Sequence, residues 1–296
     1  MKRPVVFLIT TLLLSLPALS EASEETYGYF ESFDGTRIYW QSWNADNPSA
    51  TMILVHGYGS SSDLFNAFVR DLNENEVSAY ALDLRGHGRS GGERLSVNSS
   101  DDYLKDLMIF VDIVMQQKNA DRIYLLGQSL GGGIVLKYAI ERPADIEGII
   151  VAGPGVGMQL FGLSVPLSAI RLLYPILRSL SKIFPNFSIP VPGINNSMKM
   201  KMLAENTGDI IYLWENADRI TVPCLFVGGS EDQVIPLEAL RDFYETVPSA
   251  DKSFSVVEGA DHFLFSDKNT DETTSVVVDW MIGQFRQKEM ELPLTL

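Results

Sequence analysis

Cysteine is nearly absent. Cys224 is the single one in 296 residues, which excludes an intramolecular disulfide and any metal site built from several thiolates. Histidine is scarce as well: His56, His87 and His262 are all there are, so no histidine-rich metal centre is expected and no cofactor is called for. Basic residues are outnumbered, 23 Lys and Arg against 38 Asp and Glu, for a formal net charge of −15. With no basic block in the chain, a nucleic-acid partner is not expected, and attraction to anionic lipid is disfavoured. Gly and Pro, at 23 and 14, are not enriched, which excludes collagen-like and low-complexity structure. What is present is apolar: 46% hydrophobic against 21% charged residues suffices for a sizeable core, in one large domain or a domain with an insertion.

Long hydrophobic runs are also missing. The stretch Val5 to Leu16 has twelve positions, short of the roughly 18–20 that span a bilayer. It follows the basic Met1-Lys2-Arg3 and precedes Pro17 and the small residues Ala18, Ser20 and Ala22 within Ala18-Leu19-Ser20-Glu21-Ala22. Basic, apolar and small-residue regions in that order are the pattern of a secretory signal peptide. Residues 1–22 are therefore read as a leader cleaved after Ala22 or Ser20, for a secreted or periplasmic protein; an uncleaved N-terminal anchor is the alternative. No cysteine follows to carry a lipid.

From Tyr27 the pattern settles. Tyr27–Phe33 and Thr36–Trp43 alternate as two strands about the turn Asp34-Gly35. Short apolar strands follow at Met52–Val55, Ala79–Asp83, Ile123–Leu126, Gly148–Ala152, Cys224–Val227 and Phe254–Val257. Helical periodicity marks Asp63–Leu72, Ser100–Gln117, Leu130–Glu141, Pro236–Thr246 and Asp271–Arg286. Strands that alternate with helices imply an α/β fold, a mostly parallel sheet covered on both faces. Pro154 to Asn216 breaks the alternation with apolar segments punctuated by prolines, and is read as a helical cap inserted over the sheet's C-terminal edge. The expected organisation is a leader at 1–22, core at 23–153, cap at 154–216 and core again at 217–296.

Gly127-Gln128-Ser129-Leu130-Gly131 lies between an expected strand and an expected helix. G-x-S-x-G in that context makes a sharp turn that raises the serine hydroxyl at the sheet edge, with the N–H of Leu130 facing the same point. A serine hydroxyl is a poor nucleophile until a base takes its proton, and the base needs an orienting carboxylate. In a chain ordered serine, acid, histidine, His262 is the only histidine downstream of Ser129. For the acid, Glu231, Asp232 and Asp261 compete. Asp232 is favoured, because it precedes the Val234-Ile235-Pro236 that opens a helix, while Asp261 adjoins His262 and neighbours rarely aim at each other.

These residues, with His56-Gly57-Tyr58-Gly59 after the third strand, Asp83-Leu84-Arg85-Gly86-His87-Gly88-Arg89-Ser90 after the fourth and Gly132 after the elbow, resemble the α/β-hydrolase superfamily, in its monoacylglycerol lipase and lysophospholipase branch. The resemblance covers residues 30 to 288, most weakly within 154–216. It implies a backbone oxyanion hole from the N–H groups of Tyr58 and Leu130, and leaves His56 and His87 to brace loops. It also implies ester hydrolysis through an acyl-serine, with a small-molecule lipid or ester as partner. Other serine hydrolases of the fold (short-chain esterase, thioesterase, carbon–carbon hydrolase, peptidase) and a silent binding protein are the alternatives.

Within the cap, Ile170, Leu173, Leu177 and Leu180 repeat at helical spacing beside Arg171, Arg178 and Lys182. Such a stripe lines an acyl channel, dips into a lipid surface, or packs the cap onto the core. The alternation Met198, Met200, Met202 has a period of two, which does not suit an amphipathic helix, and receives no role. Cys224, in an expected buried strand, is read as a core residue.

Overall fold

The computed structural model describes residues 25–118, 122–160, 163–190, 197–266 and 268–291; the leader expected at 1–22 lies outside them. The chain opens with β1 (Glu25–Glu31) and β2 (Arg37–Trp43), then β3 (Ala50–Val55), α1 (Phe68–Glu74), β4 (Val77–Leu82), α2 (Asp101–Lys118), β5 (Ile123–Gln128), α3 (Leu130–Glu141) and β6 (Gly148–Ala152). After an inserted segment come β7 (Gln159–Leu160), β8 (Leu163–Ser164), α4 (Leu167–Ile183), β9 (Ser188–Pro190), β10 (Ser197–Lys199) and α5 (Met200–Asn216). The chain ends in β11 (Cys224–Gly229), α6 (Leu237–Thr246), β12 (Lys252–Val257) and α7 (Thr270–Glu291).

Eight strands form one sheet in the order β1-β2-β4-β3-β5-β6-β11-β12. Every pairing from β4 to β12 is parallel, and the β1–β2 hairpin adds the antiparallel edge. Successive side chains of a strand face opposite sides. Ile53 and Val55 of β3 accordingly join Phe110, Leu136 and Phe226 in one core. Met52 and Leu54 join Phe68, Leu72 and Val277 in the other. A strand buried on both faces has no polar position to alternate with, which is why β3, β5 and β6 read as unbroken apolar runs. Truncating Leu54, fully buried, to alanine would cost about 2–5 kcal/mol.

Strand order explains where a site can form. From β3 the chain winds to β4 on one side, then crosses back to β5 on the other side of β3. Connections that leave β3 and β5 in opposite directions open a crevice at their carboxyl ends. Residues 56–59 and 128–131 stand at that crevice.

The inserted segment holds two helices, but it is not purely helical as expected. β7 pairs with β8 and β9 with β10, both antiparallel. Strands of two or three residues are too short to print a period in sequence. The methionine alternation spans such a boundary: Met198 is in β10, Met200 and Met202 in the first turn of α5, and all three are buried. Residues Asp63–Leu72, read as one helix, divide into a single 3₁₀ turn at Ser62–Phe65 and α1.

Helix α5 packs on α3 and α4 lies over α5. A Cβ at Gly208 would stand 2.9 Å from the Tyr174 hydroxyl, so glycine there lets the two inserted helices approach. Of α4 only Ile170 and Ser181 are buried. Leu173 and Leu180 of the sequence stripe are exposed, which disfavours its reading as packing of the cap onto the core.

Candidate active site

Ser129 has φ +55° and ψ −118°, a strained backbone conformation for any residue with a side chain. It is pinned there by its own N–H, which donates to the Ala152 carbonyl at 2.9 Å, and by its carbonyl, which accepts from Gly133 and Gly155, each at 3.1 Å. The motif glycines are demanded by contact. A Cβ at Gly127 would fall 2.3 Å from the Gly131 carbonyl oxygen, and one at Gly131 would fall 2.1 Å from that of Val55. The turn therefore presses α3 against the ends of β3 and β5, leaving the Ser129 hydroxyl at the crevice.

His262 and Asp232 reach Ser129 from the loops that follow β12 and β11. His262 Nε2 lies 2.8 Å from Ser129 Oγ, and Nδ1 lies 2.8 Å from Asp232 Oδ2. The other carboxylate oxygen, Asp232 Oδ1, accepts the N–H groups of Val234 at 2.7 Å and Ile235 at 2.9 Å. Both side chains are about 4% exposed or less, so the pair works away from bulk water. Gly153 backs it: a Cβ there would meet Asp232 Oδ2 at 3.3 Å and His262 Nδ1 at 3.4 Å.

The two rejected carboxylates have other positions. Asp261 Oδ1 accepts the Phe263 N–H and an Asn269 N–H, shaping the histidine loop. Glu231 is exposed.

Tyr58 and Leu130, the expected oxyanion donors, flank the nucleophile. Leu130 is the first residue of α3, so its N–H has no intrahelical partner. The Tyr58 N–H follows Gly57, where a Cβ would lie 3.1 Å from Ser129 Cβ. The Tyr58 hydroxyl donates toward the carbonyls of Ser197 at 3.2 Å and Leu95 at 3.4 Å, so its ring is both a wall of the site and a link to β10.

His56 and His87 are buried apart from the triad. Burial holds His56 below the ordinary histidine range and pushes His87 down to about 3, so neither ring is a proton carrier near neutrality. Cys224 is buried, and its thiol is pushed up to about 12 by burial, which makes it inert.

Sequence reasoning passed over three residues. Gln128 donates to the His262 carbonyl at 3.0 Å and so ties the nucleophile turn to the histidine loop. Gln159 donates to the Asp232 carbonyl at 3.2 Å, joining β7 to the acid loop. Gly153 is the third. Contacts between loops distant in sequence leave no local signal.

Ser129 opens into a cavity of about 220 Å³ between the sheet edge and the inserted segment. Leu130, Met158, Ile189, Met198, Leu203, Ile210 and Ile235 supply an apolar wall, with Tyr58, Gln159, Asn206, Asp209 and Gln233 as polar points. Among the described residues no group of three or more His, Cys, Asp or Glu is placed to hold a metal ion.

The family described as serine aminopeptidase, S33, matches residues 46–210 and 192–269, more than half of the chain. The monoacylglycerol lipase of Mycolicibacterium smegmatis is 27% identical over 277 residues, 86% of this chain and 96% of that protein. Human monoglyceride lipase is 27% identical over 265 residues, 82% of this chain and 85% of its own. Among solved structures, the monoacylglycerol lipase of Paleococcus ferrophilus superposes with a TM-score of 0.70 at 23% identity, covering 83% of this chain and 99% of that one. The fold is thus the α/β-hydrolase fold, and the chain belongs to the serine aminopeptidase (S33) family of hydrolases, in the branch of its monoacylglycerol lipase relatives.

Proposed function

We propose that the protein is a serine carboxylic-ester hydrolase for neutral single-chain lipid esters, monoacylglycerols foremost. The observation that carries this reading is the hydrogen-bonded line from Asp232 through His262 to Ser129, opening on an apolar cavity.

In this mechanism Ser129 Oγ attacks the ester carbonyl carbon as its proton passes to His262 Nε2. Asp232 Oδ2 stabilises the resulting imidazolium and keeps the ring oriented. The negative charge that forms on the carbonyl oxygen is received by the N–H groups of Tyr58 and Leu130, each worth about 3 kcal/mol in a water-excluded site. Collapse expels the alcohol, which takes the proton from His262 and leaves an acyl-serine. Water then adds with His262 again as base, the acid departs, and Ser129 is restored.

The choice of substrate rests on the wall. Among the described residues no Lys or Arg lines the cavity, so the phosphate of a lysophospholipid would lose its hydration without a counter-charge. A glycerol ester has no such penalty. Asp209, the one carboxylate of the wall among the described residues, faces Lys137 at 2.8 Å, which leaves little to hold the α-ammonium of a peptide. The monoacylglycerol lipases of similar sequence support the same choice.

Contact with a lipid surface belongs to the proposal. Leu163, Leu172, Ile176, Ile183, Phe184 and Phe187 are large, apolar and exposed on and around α4, and exposed apolar groups gathered in this way support such a contact. No helix among the described residues is long and apolar enough to cross a membrane, and α4 would lie on the surface. Export is proposed from the pattern of residues 1–22 alone.

The test compares the protein with Ser129→Ala on a monoacylglycerol, lysophosphatidylcholine, short p-nitrophenyl esters and an aminoacyl anilide. Monoacylglycerol should be the best substrate and the variant inactive on all. A variant of undiminished activity sinks the serine mechanism, and an anilide or lysophospholipid preferred over monoacylglycerol sinks the substrate assignment.

A further inference from the structure

Two polar side chains face the cavity without a full set of partners. Asn206 and Asp209 are three residues apart on α5, hence on one face of that helix, and both line the cavity. Asp209 Oδ1 accepts Lys137 Nζ and Ser100 Oγ, each at 2.8 Å, while its Oδ2 receives no hydrogen bond from the described residues. Asn206 donates through Nδ2 to the Met198 sulfur at 3.6 Å, a weak acceptor, and its Oδ1 is buried with no partner.

Polar groups withdrawn into an apolar wall are unfavourable unless hydrogen-bonded. The surrounding residues nevertheless hold this pair in place. Lys137 is buried, donates to Asp101 at 2.7 Å as well as to Asp209, and joins α3 and α2 to α5. Lys137 also supplies the charge that compensates Asp209, so an uncharged donor is enough to complete the carboxylate. An alcohol suits both members, donating to Asp209 Oδ2 and exchanging hydrogen bonds with the Asn206 carboxamide.

The pair stands away from the nucleophile. Ser129, Gly133 and Lys137 follow one another at four-residue spacing along one face of α3, and Gly133 lines the cavity between them. The Lys137 backbone is about 12 Å beyond Ser129 along the helix axis, and its side chain leans back toward the N-terminus. An acyl or alcohol arm seated at Ser129 and running beside Gly133 therefore leads toward Asp209.

We propose that Asn206 and Asp209 form a hydroxyl subsite, which takes an alcohol borne by the substrate in addition to the reacting ester. The inference rests on the ester-hydrolase reading above. Two parts of a lipid ester carry such a group, a hydroxylated acyl chain and a glycerol head group, and the test separates them.

The experiment measures kcat/KM for the full protein, Asn206→Leu and Asp209→Asn on two matched series. One series is p-nitrophenyl decanoate and its analogues with a hydroxyl at successive positions from mid-chain to the end. The other is decanoyl glycerol against methyl decanoate. Titration of Ser129 with a reactive phosphonate counts folded sites, so each rate is expressed per active site and misfolding is seen directly. At least about a tenfold preference for one hydroxylated partner is expected in the unmodified protein, falling below about threefold in either variant. Preference within the acyl series assigns the subsite to the chain, and preference within the glycerol pair assigns it to the head group. No preference in either series, or one that neither variant reduces, overturns the subsite while ester hydrolysis stands. An unmodified protein that neither reacts with the phosphonate nor turns over any ester overturns the underlying reading instead.

Discussion

His56 Nδ1 lies 2.7 Å from the carbonyl oxygen of Gly57, and His56 Nε2 accepts the N–H of Leu84 at 3.0 Å. The second bond requires an unprotonated Nε2, so the ring proton sits on Nδ1 and is donated to Gly57. The Gly57 carbonyl and the Tyr58 N–H are two ends of one planar peptide unit. Holding the carbonyl therefore aims the N–H at the oxyanion position. His56→Ala should lower kcat roughly ten- to a hundredfold with KM little changed. His56→Asn, which offers a carboxamide N–H on a short stem, should recover part of the loss. Steady-state kinetics on a soluble ester decide it: a raised KM at unchanged kcat would make His56 a packing residue only.

The acid assignment can be tested by exchanging each contender. In Asp232→Asn the side-chain oxygen can still accept from Val234 and Ile235 while the amide nitrogen faces His262. Nδ1 must then accept, the ring proton moves to Nε2, and the base can no longer take the proton from Ser129. Activity should fall about 10³- to 10⁴-fold with the fold retained. Glu231→Gln, exposed, should stay within about twofold. Asp261→Asn keeps an oxygen for the Phe263 N–H and should lose far less than Asp232→Asn. Equal losses at positions 261 and 232 would reopen the assignment.

What the sequence reveals of this molecule follows from how local each signal is. β3 and β5 are legible because burial on both faces leaves no polar residue in Met52–Val55 or Ile123–Leu126. Ser129 is legible because contact forces glycine at 127 and 131, a pattern within five residues. Asp232 and His262 are legible as loop residues after strands, though their meeting at 2.8 Å depends on β11 and β12 being parallel neighbours. The strand pairs β7–β8 and β9–β10 are not, because two- and three-residue strands have no period. Nor is the link from Gln128 to His262, whose partners are 134 residues apart.

Glycine substitutions should separate contact from propensity. Gly131→Ala drives a Cβ to within 2.1 Å of a backbone carbonyl of β3, where no side chain can yield. It should destabilise the fold by more than about 3 kcal/mol and abolish activity. Gly283, exposed in α7, has nothing within 4 Å of a Cβ, and Gly283→Ala should stabilise by about 0.5–1 kcal/mol. Thermal unfolding of both variants provides the check, and a tolerated Gly131→Ala would contradict the packing of α3 on β3.

The exposed face of α4 makes a prediction that a soluble substrate cannot report. Leu172 is 75% and Ile176 59% exposed, and neither lines the cavity. Leu172→Glu with Ile176→Glu adds charge to that face and removes apolar area. Binding to neutral lipid vesicles should weaken about tenfold or more, and turnover of emulsified monoacylglycerol should drop with it. Hydrolysis of p-nitrophenyl acetate should remain within about twofold. Vesicle sedimentation that is unchanged by the double substitution would remove α4 from lipid contact.

Acid should weaken the fold before the ordinary carboxylate range is reached. His87, buried against His56 and the Tyr58 ring, is pushed down to about 3 from 6.5, and His56 is lowered too. A group whose folded pKa is depressed is neutral in the native state while the unfolded chain binds its proton. Stability is then complete above pH 6.5 and is lost as pH falls, by up to about 1.4 kcal/mol per pH unit for each such histidine. Between pH 6.5 and about 4.5, above where free carboxylates titrate, the two buried rings should dominate the slope. Denaturant unfolding at stepped pH measures it, and His87→Gln should flatten the slope by one histidine's share. A slope that the substitution leaves unchanged would place the acid sensitivity elsewhere.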